Sequence, residues 1–202
     1  MRELEQQHGG DVPLLVHGDA GLIDEQSRPL RGNLAAKLHH RLEDARRPGR
    51  QVLHNYVTGC TILLNRALMD LANPIPDAAV WHDWWIGLLA CVCGEVACIP
   101  GTVLDYRQHP ANALGAGTMR WSALLRRFPN PGTIRLRMNR VSSQALAALA
   151  RCQGLLGDRE RAVLATCADL PNRSWLARRT ALISHAMWLP GILRNLALMV
   201  FA

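Results

Sequence analysis

The sequence predicts an α/β domain followed by a basic helical segment. Three observations support this prediction. Short apolar runs alternate with helix-like runs over roughly the first hundred of the 202 residues, as they do in α/β folds. After residue 130, apolar residues recur at spacings of three and four, which is typical of one face of a helix. Charge also divides the chain, because residues 1–112 carry 13 acidic and 10 basic side chains whereas residues 113–202 carry 3 and 13.

Each element of the first half follows from a local pattern. An apolar run that stops at Gly18-Asp19 indicates a strand and a turn, Pro48-Gly49 ends a helix, and the long apolar run DWWIGLLACVC indicates a buried helix. The predicted elements are a strand at 13–17, a turn at 24–27, a helix at 34–44, a strand at 60–65, helices at 66–72 and 83–93, and two short strands at 96–100 and 103–106.

The second half is predicted to be helical. One helix face is marked by Ile134, Met138, Val141, Ala145, Leu149 and Cys152, and Asp158 and Ser174 are candidate caps of two further helices. The final segment ILRNLALMVFA follows Pro190-Gly191 and contains Arg194. Together with Trp175 and Trp188 it fits an amphipathic segment in a membrane interface. The alternative is an ordinary helical bundle packed on the first half.

Composition excludes several classes of protein. The apolar fraction of 49% is too high for a disordered chain. No apolar stretch approaches the roughly 20 uncharged residues of a membrane-spanning helix, and the polar, acidic start MRELEQQHGGD is unlike a signal peptide. We therefore expect a cytoplasmic protein. The excess of arginine after residue 113 favours an anionic partner, either nucleic acid or the inner face of the cell membrane.

The six cysteines are expected to be reduced. They lie inside apolar runs, as buried thiols of cytoplasmic proteins do. Cys91, Cys93 and Cys98 are close in sequence, but the paired CxxC motifs of a strong zinc signature are absent. Buried thiols are therefore favoured over a metal site.

Three polar clusters are candidates for chemistry: Asn55–Thr61, Trp81–Trp85 and Tyr106–His109. Asp83 stands at the predicted start of a helix, where the helix dipole favours a carboxylate even without a further function. The flanking tryptophans also suit a sugar, because sugar C–H groups stack on indoles while hydroxyl groups need an acceptor. A carboxylate in that position can take the proton of an attacking hydroxyl group.

Arg107 and His109 supply the opposite charge. Alternate residues of an extended chain share a face, so the guanidinium and the imidazole would point the same way. Such a pair can hold a diphosphate or a metal-bound diphosphate. The alternative is that Arg107 is an ordinary surface residue and His109 a turn residue.

The order of these segments resembles a known family. NYVTGCTILLNRAL, PIP, HDWW and LDYRQHPANALGA are similar to the second half of family-2 glycosyltransferases, particularly the rhamnosyltransferase-like bacterial members. LLVHGDAGLIDEQSRPL resembles the strand and turn that precede them. The resemblance covers about residues 10–117, and the HDWW-to-YRQH spacing is its most specific part. Beyond it there is a loose likeness to the basic helical tails of such enzymes.

This resemblance implies the C-terminal, acceptor-side half of a GT-A domain at residues 1–117 and a basic helical tail at residues 118–202. It also implies inverting transfer of a sugar from a nucleotide-diphosphate donor to a glycolipid or polysaccharide acceptor. Asp83 would be the catalytic base, and Arg107 and His109 would contact the donor diphosphate or a divalent metal, Mg²⁺ or Mn²⁺. The other substrate-binding residues that it implies are Thr58, Gly59, His82, Trp84 and Trp85.

The sequence departs from the family in one respect. The family's nucleotide-binding half carries an Asp-x-Asp motif that holds the divalent metal, and this sequence contains no Asp-x-Asp. We therefore expect the chain to be truncated at its N-terminus relative to the family. Strands that would pair with the missing half would then present exposed sheet edges.

Two other functions stay open. An inactive remnant of such an enzyme would share every feature above. An arginine-rich module that binds a membrane or nucleic acid would account for the positive charge after residue 113. Trp and Leu interleave with the arginines, and no helix-turn-helix, zinc-finger or RNA-recognition pattern occurs. These features favour the membrane surface over nucleic acid.

Overall fold

A mixed four-stranded sheet forms the centre of the first half of the chain. The structure, a computed structural model, describes residues 1–108 and 131–201. The strands are β1 (Leu14–Ile23), β2 (Pro29–Asn33), β3 (Ile62–Leu64) and β4 (Glu95–Arg107). On one side, β1 pairs with β4 in parallel over its whole length; on the other, it pairs antiparallel with β3 near its start and with β2 near its end. Within the described residues, no strand pairs with the second edge of β4.

Two predicted interruptions of this sheet are wrong. The predicted turn at Gly18-Asp19 lies inside β1, and the two short strands predicted around Gly101 are one strand, β4. The reason is the parallel pairing of β1 with β4. A β-carbon at Gly18 would lie 2.5 Å from Val103 Cγ1, so the glycine permits close contact between the strands. Gly101, at φ +80°, accompanies shifts in register rather than a chain reversal.

Helices cover both halves of the chain. The short helices of the first half are α1 (Arg2–His8), α2 (Leu34–Leu38), α3 (Pro48–Gln51) and α4 (Arg66–Ala72), and α5 (His82–Cys93) is its long helix. The second half contains α6 (Pro131–Arg151), α7 (Asp158–Asp169), α8 (Trp175–Ser184) and α9 (Ile192–Phe201). Three 3-10 turns lie at Leu42–Arg46, Gly59–Thr61 and Leu170–Asn172.

The helix predictions are confirmed for α4, α5 and α6. The prediction of a helix over 34–44 is wrong beyond Leu38, because His39 adopts a left-handed conformation with φ 59° that ends α2. Ser174 caps α8 as predicted, since its Oγ accepts a hydrogen bond from Ala177 N at 3.4 Å. Asp158 is instead the first residue of α7 and makes no capping hydrogen bond with its side chain.

One hydrophobic core joins the two halves. Trp85, Leu88 and Leu89 of α5 are fully buried, and they belong to the same cluster as the predicted apolar face of α6. Arg151, at the end of α6, donates hydrogen bonds of 2.9 Å to the carbonyl groups of Leu71, Asn73 and Pro74, and its guanidinium lies 5.9 Å from the Trp85 ring centroid. The helices after residue 130 are therefore packed on the first half. The predicted domain boundary at 117/118 lies outside the described residues.

The last helix leaves an apolar face exposed. Ile192, Leu193, Leu196 and Val200 of α9 are each more than half exposed and are spaced to lie on one side of a helix. We call these four residues the α9 apolar face. None of the helices in the described ranges is both long and apolar enough to cross a bilayer.

Candidate functional site

Asp83 lies in the first turn of α5, against the backbone of the loop before β3. Its Oδ2 accepts a hydrogen bond from Gly59 N at 3.1 Å, and its Oδ1 accepts one from Trp84 N at 2.8 Å. The N-terminal end of a helix also attracts negative charge. Each carboxylate oxygen has a second lone pair beyond these bonds. Asp83 is therefore positioned by the backbone while keeping the capacity to accept a proton.

Gly59 allows two side chains to lie over this loop. A β-carbon at Gly59 would be 3.0 Å from His82 Nε2 and 3.4 Å from Asp83 Cβ. The first distance is too short for a relaxed contact, so any other residue here would displace the imidazole. The structure thus brings Gly59, His82 and Asp83 together, although 24 residues separate Gly59 from Asp83.

Thr58 contributes through its backbone. Its carbonyl oxygen accepts hydrogen bonds from Thr61 N at 2.8 Å and from Thr61 Oγ1 at 2.9 Å. These bonds close the 3-10 turn Gly59–Thr61 that presents the Gly59 N–H to Asp83. Thr58 therefore shapes the loop next to the carboxylate.

Cys60 lies in the same turn, within the cluster Asn55–Thr61, and its sequence context predicts no separate role for it. Of the six cysteines it is the one whose residue is exposed. Reduced hydration and the negative charge of Asp83 both raise the pKa of its thiol. A neutral, accessible thiol therefore lies within electrostatic reach of the carboxylate. Its position after Gly59 was the only signal in the sequence.

The three tryptophans of this segment lie in different environments. Trp81 is 62% exposed, whereas Trp84 and Trp85 are buried. The indole N–H of Trp84 donates to Gln51 O at 2.6 Å, and that of Trp85 donates to Ala72 O at 3.0 Å. Trp84 and Trp85, predicted to contact substrate, therefore support α5 from the core. Of these three indoles, Trp81 is the one that offers a ring face to a sugar.

Arg107 closes the turn between β1 and β2. Its guanidinium donates hydrogen bonds to Asp24 O at 3.1 Å, Glu25 O at 2.9 Å and Ser27 Oγ at 2.9 Å. These bonds hold the Arg107 side chain against the turn. They agree with the alternative interpretation of Arg107, in which it is a surface residue. His109, the predicted metal ligand, lies outside the described residues, so its pairing with Arg107 stays a prediction.

The described residues do not fit a divalent metal. In residues 1–108 and 131–201, no three His, Cys, Asp or Glu side chains come together as a potential metal site. Near Asp83, His82 is the neighbour of suitable chemistry, and two ligands are fewer than a stable site requires. The predicted Mg²⁺ or Mn²⁺ would need His109 or other ligands outside the described residues.

His17 of β1 and Cys98 of β4 form a contact that the sequence pattern did not predict. His17 is fully buried, and its Nε2 lies 3.2 Å from Cys98 Sγ. Burial, with the charge of Arg46, lowers the pKa of His17 to about 4. Cys98 lines a cavity of about 310 Å³ together with Asp19 and Glu43. The pair depends on the register of two parallel strands, which local patterns do not reveal.

Comparison with known proteins gives no family assignment. No protein-family model, no curated protein and no solved structure matches the chain. The likeness to family-2 glycosyltransferases therefore rests on the segments quoted above, and the function has to be argued from the Asp83 site.

Proposed function

We propose that the chain is the acceptor-side half of a GT-A glycosyltransferase, in which Asp83 is the catalytic base. The observation that supports this most directly is the convergence of Gly59, His82 and Asp83 at the start of α5. A carboxylate held by backbone N–H groups, with an imidazole beside it and an exposed indole nearby, provides the groups that sugar transfer to a hydroxyl acceptor needs.

The proposed reaction uses few groups. The acceptor hydroxyl oxygen forms a bond to the anomeric carbon from the face opposite the donor phosphate. The bond between that carbon and the phosphate oxygen breaks, and the nucleotide diphosphate leaves with the electron pair. The hydroxyl proton passes to a free lone pair of Asp83. Trp81 stacks on the sugar, and His82 hydrogen-bonds a hydroxyl group. A positioned base of this kind contributes about 10²–10⁴-fold to the rate.

The position of α9 favours a lipid-linked acceptor. Its exposed apolar face belongs to the half of the chain that has ten more basic than acidic residues. Amphipathic helices with these properties bind in the interface of anionic membranes. We place the protein at the inner face of the cell membrane, where a glycolipid acceptor is available. Nucleic acid is less favoured as a partner, since four of the exposed residues of α9 are apolar and Arg194 is its one basic residue.

The test is the pair Asp83→Asn and Asp77→Asn. Each is assayed for release of nucleotide diphosphate from a panel of nucleotide sugars, on the chain alone and on the chain extended by whatever coding sequence lies upstream. Asn preserves the size of Asp83 but is not a base, so we expect a loss of at least about 100-fold. Asp77 is exposed and outside the site, so its variant should match the wild type within twofold.

Two outcomes would contradict the proposal. Unchanged turnover in Asp83→Asn would remove Asp83 from the role of base. Absence of donor cleavage from the chain in both forms would favour an inactive remnant.

A further inference from the structure

A chain of imidazole and guanidinium groups lies against Trp84, outside the Asp83 site. His40 Nε2 and His54 Nε2 are 2.8 Å apart, and His54 Nδ1 is 2.7 Å from Arg137 Nη2. The same Arg137 nitrogen donates to Leu53 O at 3.0 Å. The Arg137 guanidinium carbon lies 5.7 Å from the Trp84 ring centroid. Residues from the first half and from α6 thus form one connected cluster.

The hydrogen bonds assign the protons in this chain. A guanidinium only donates, so His54 Nδ1 accepts from Arg137. His54 therefore carries its proton on Nε2 and donates it to His40 Nε2. Burial, together with nearby arginine charge, lowers the pKa of His40 to about 4 and that of His54 to about 2. Both histidines are neutral at pH 7, and the positive charge of the cluster resides on arginine.

Arg194 adds a second positive charge to the cluster. It lies on α9 and is exposed. α9 packs against α6, the helix that carries Arg137, and the charge of Arg194 acts on His40, His54 and Arg137. The segment before α9 is held near the cluster, because the Tyr56 ring centroid lies 5.2 Å from that of His40 and 5.1 Å from that of His54, and the Tyr56 hydroxyl donates to Trp188 O at 3.4 Å. Arg194 forms no hydrogen bond or ion pair with the part of the chain that the structure describes.

Neither of these two arginines forms an ion pair with a carboxylate of the described ranges. Only three acidic residues follow Asp105 in the sequence: Asp169 pairs with Arg173, and the other two lie in the first turn of α7. Asp19 acts on His40, and the hydrogen bonds that its Oδ1 accepts come from the backbone N–H groups of Ala20 and Ala35 rather than from an arginine. Two cations held close without a counter-charge repel each other, and a bound anion removes this repulsion.

We propose that Arg137 and Arg194 form a binding site for a phosphate or diphosphate group. Guanidinium groups bind phosphate oxygens in a bidentate geometry, and the neutral His54 fixes the orientation of Arg137. The residue beneath Arg137 is Trp84, which directly follows Asp83, so the anion would bind on the neighbouring side of the start of α5. This inference deepens the proposed function. It rests on that function only for the choice between a donor and an acceptor phosphate.

The experiment measures binding of inorganic pyrophosphate by isothermal titration calorimetry, without any transfer reaction. Arg194→Gln removes one guanidinium of the site, and Arg135→Gln removes one exposed charge from α6 outside it. We expect Arg194→Gln to weaken binding at least tenfold and Arg135→Gln to weaken it less than twofold. Circular dichroism would check that both variants are folded.

Two further titrations distinguish the sources of the phosphate. A gain in affinity for farnesyl diphosphate over pyrophosphate, lost in Arg194→Gln, would assign the site to a lipid-linked acceptor. The same gain for uridine diphosphate would assign it to the donor. Equal weakening by Arg194→Gln and Arg135→Gln, or no saturable binding of pyrophosphate, would overturn the site. Because binding is measured directly, a failure of Asp83 as the base would leave this result unaffected.

Discussion

Asp83 and Trp84 are consecutive residues of α5, yet they belong to regions of opposite character. The Asp83 region is a half-buried carboxylate held by backbone N–H groups beside a glycine. The Trp84 region is a buried indole with the Arg137 guanidinium over its ring and two neutral histidines behind that guanidinium. The first turn of α5 therefore lies between a negatively charged group, Asp83, and a positively charged one, Arg137.

This difference indicates how α5 can support both the Asp83 carboxylate and the arginine region at Trp84. The turn at Gly59 supplies a backbone N–H group to a carboxylate that is half-buried. The arginine region depends instead on contacts from α5, α6 and the residues before α9, so it exists only when the two halves are packed together. We expect substitutions in the Asp83 region to change activity. We expect substitutions in the arginine region to change the free energy of unfolding.

The largest effect should come from Trp84→Ala. It removes a buried indole, its hydrogen bond to Gln51 O and the surface beneath Arg137. Truncation of a buried aromatic side chain costs about 3–5 kcal/mol. Trp81→Ala is the matched control, since its side chain is mostly exposed, and it should cost about 0.5 kcal/mol or less. Urea unfolding measures both; similar losses in the two variants would contradict the division between core and surface indoles.

The next effect is acid sensitivity of the arginine region. His40 and His54 have folded pKa values of about 4 and about 2, below the unfolded value of 6.5. As pH falls below 6.5, the unfolded chain binds protons that the folded chain does not, so stability decreases. Each histidine should cost about 2 kcal/mol between pH 7 and pH 5, and His17, with its folded pKa of about 4, should add a similar loss.

Unfolding free energies at pH 7 and pH 5 test this prediction. His40→Gln should reduce the loss between the two pH values, whereas His8→Gln, at an exposed position of α1, should leave it unchanged. A stability that is flat between pH 7 and pH 5 would show that the histidines are hydrated and protonate freely in the folded state.

The smallest effect concerns the membrane. We expect the chain to bind phosphatidylglycerol vesicles more tightly than phosphatidylcholine vesicles, because α9 combines an apolar face with arginine. Leu193→Glu should weaken binding at least about tenfold, since one buried leucine contributes roughly 1.5–3 kcal/mol. Leu146→Glu changes an equally exposed leucine on α6 and should have only the small effect of its charge. Sedimentation measures both, and equal binding to the two lipids would contradict electrostatic docking.

The parts of the fold that local patterns determine were predictable. The spacing of Ile134, Met138 and Val141 predicts α6 and its buried side, and the apolar run after Asp83 predicts α5. Gly18-Asp19 has the composition of a turn, but β4 lies alongside and keeps the segment extended. Trp81 lies just before α5 and Trp84 lies in its first turn, and both belong to one aromatic run, so the sequence did not distinguish exposed Trp81 from buried Trp84.

The candidate site was predictable only where its residues are adjacent in sequence. The segment His82–Trp85 contains Asp83 and its helix start, and the pattern alone draws attention to it. The approach of Gly59 to His82 requires the 3-10 turn before β3. The chain from His40 through His54 to Arg137 joins residues 14 and 83 positions apart, and only the packed structure brings them together.

The shared core has a consequence for synthesis on the ribosome. Strands β1 to β4 and α5 emerge before α6, which covers Trp85 and its neighbours. At about 5–20 residues per second, the 44 residues from the end of β4 at Arg107 to the end of α6 at Arg151 take several seconds to appear. During that interval α5 is exposed in the nascent first half. Chaperones can therefore bind it before α6 packs against it.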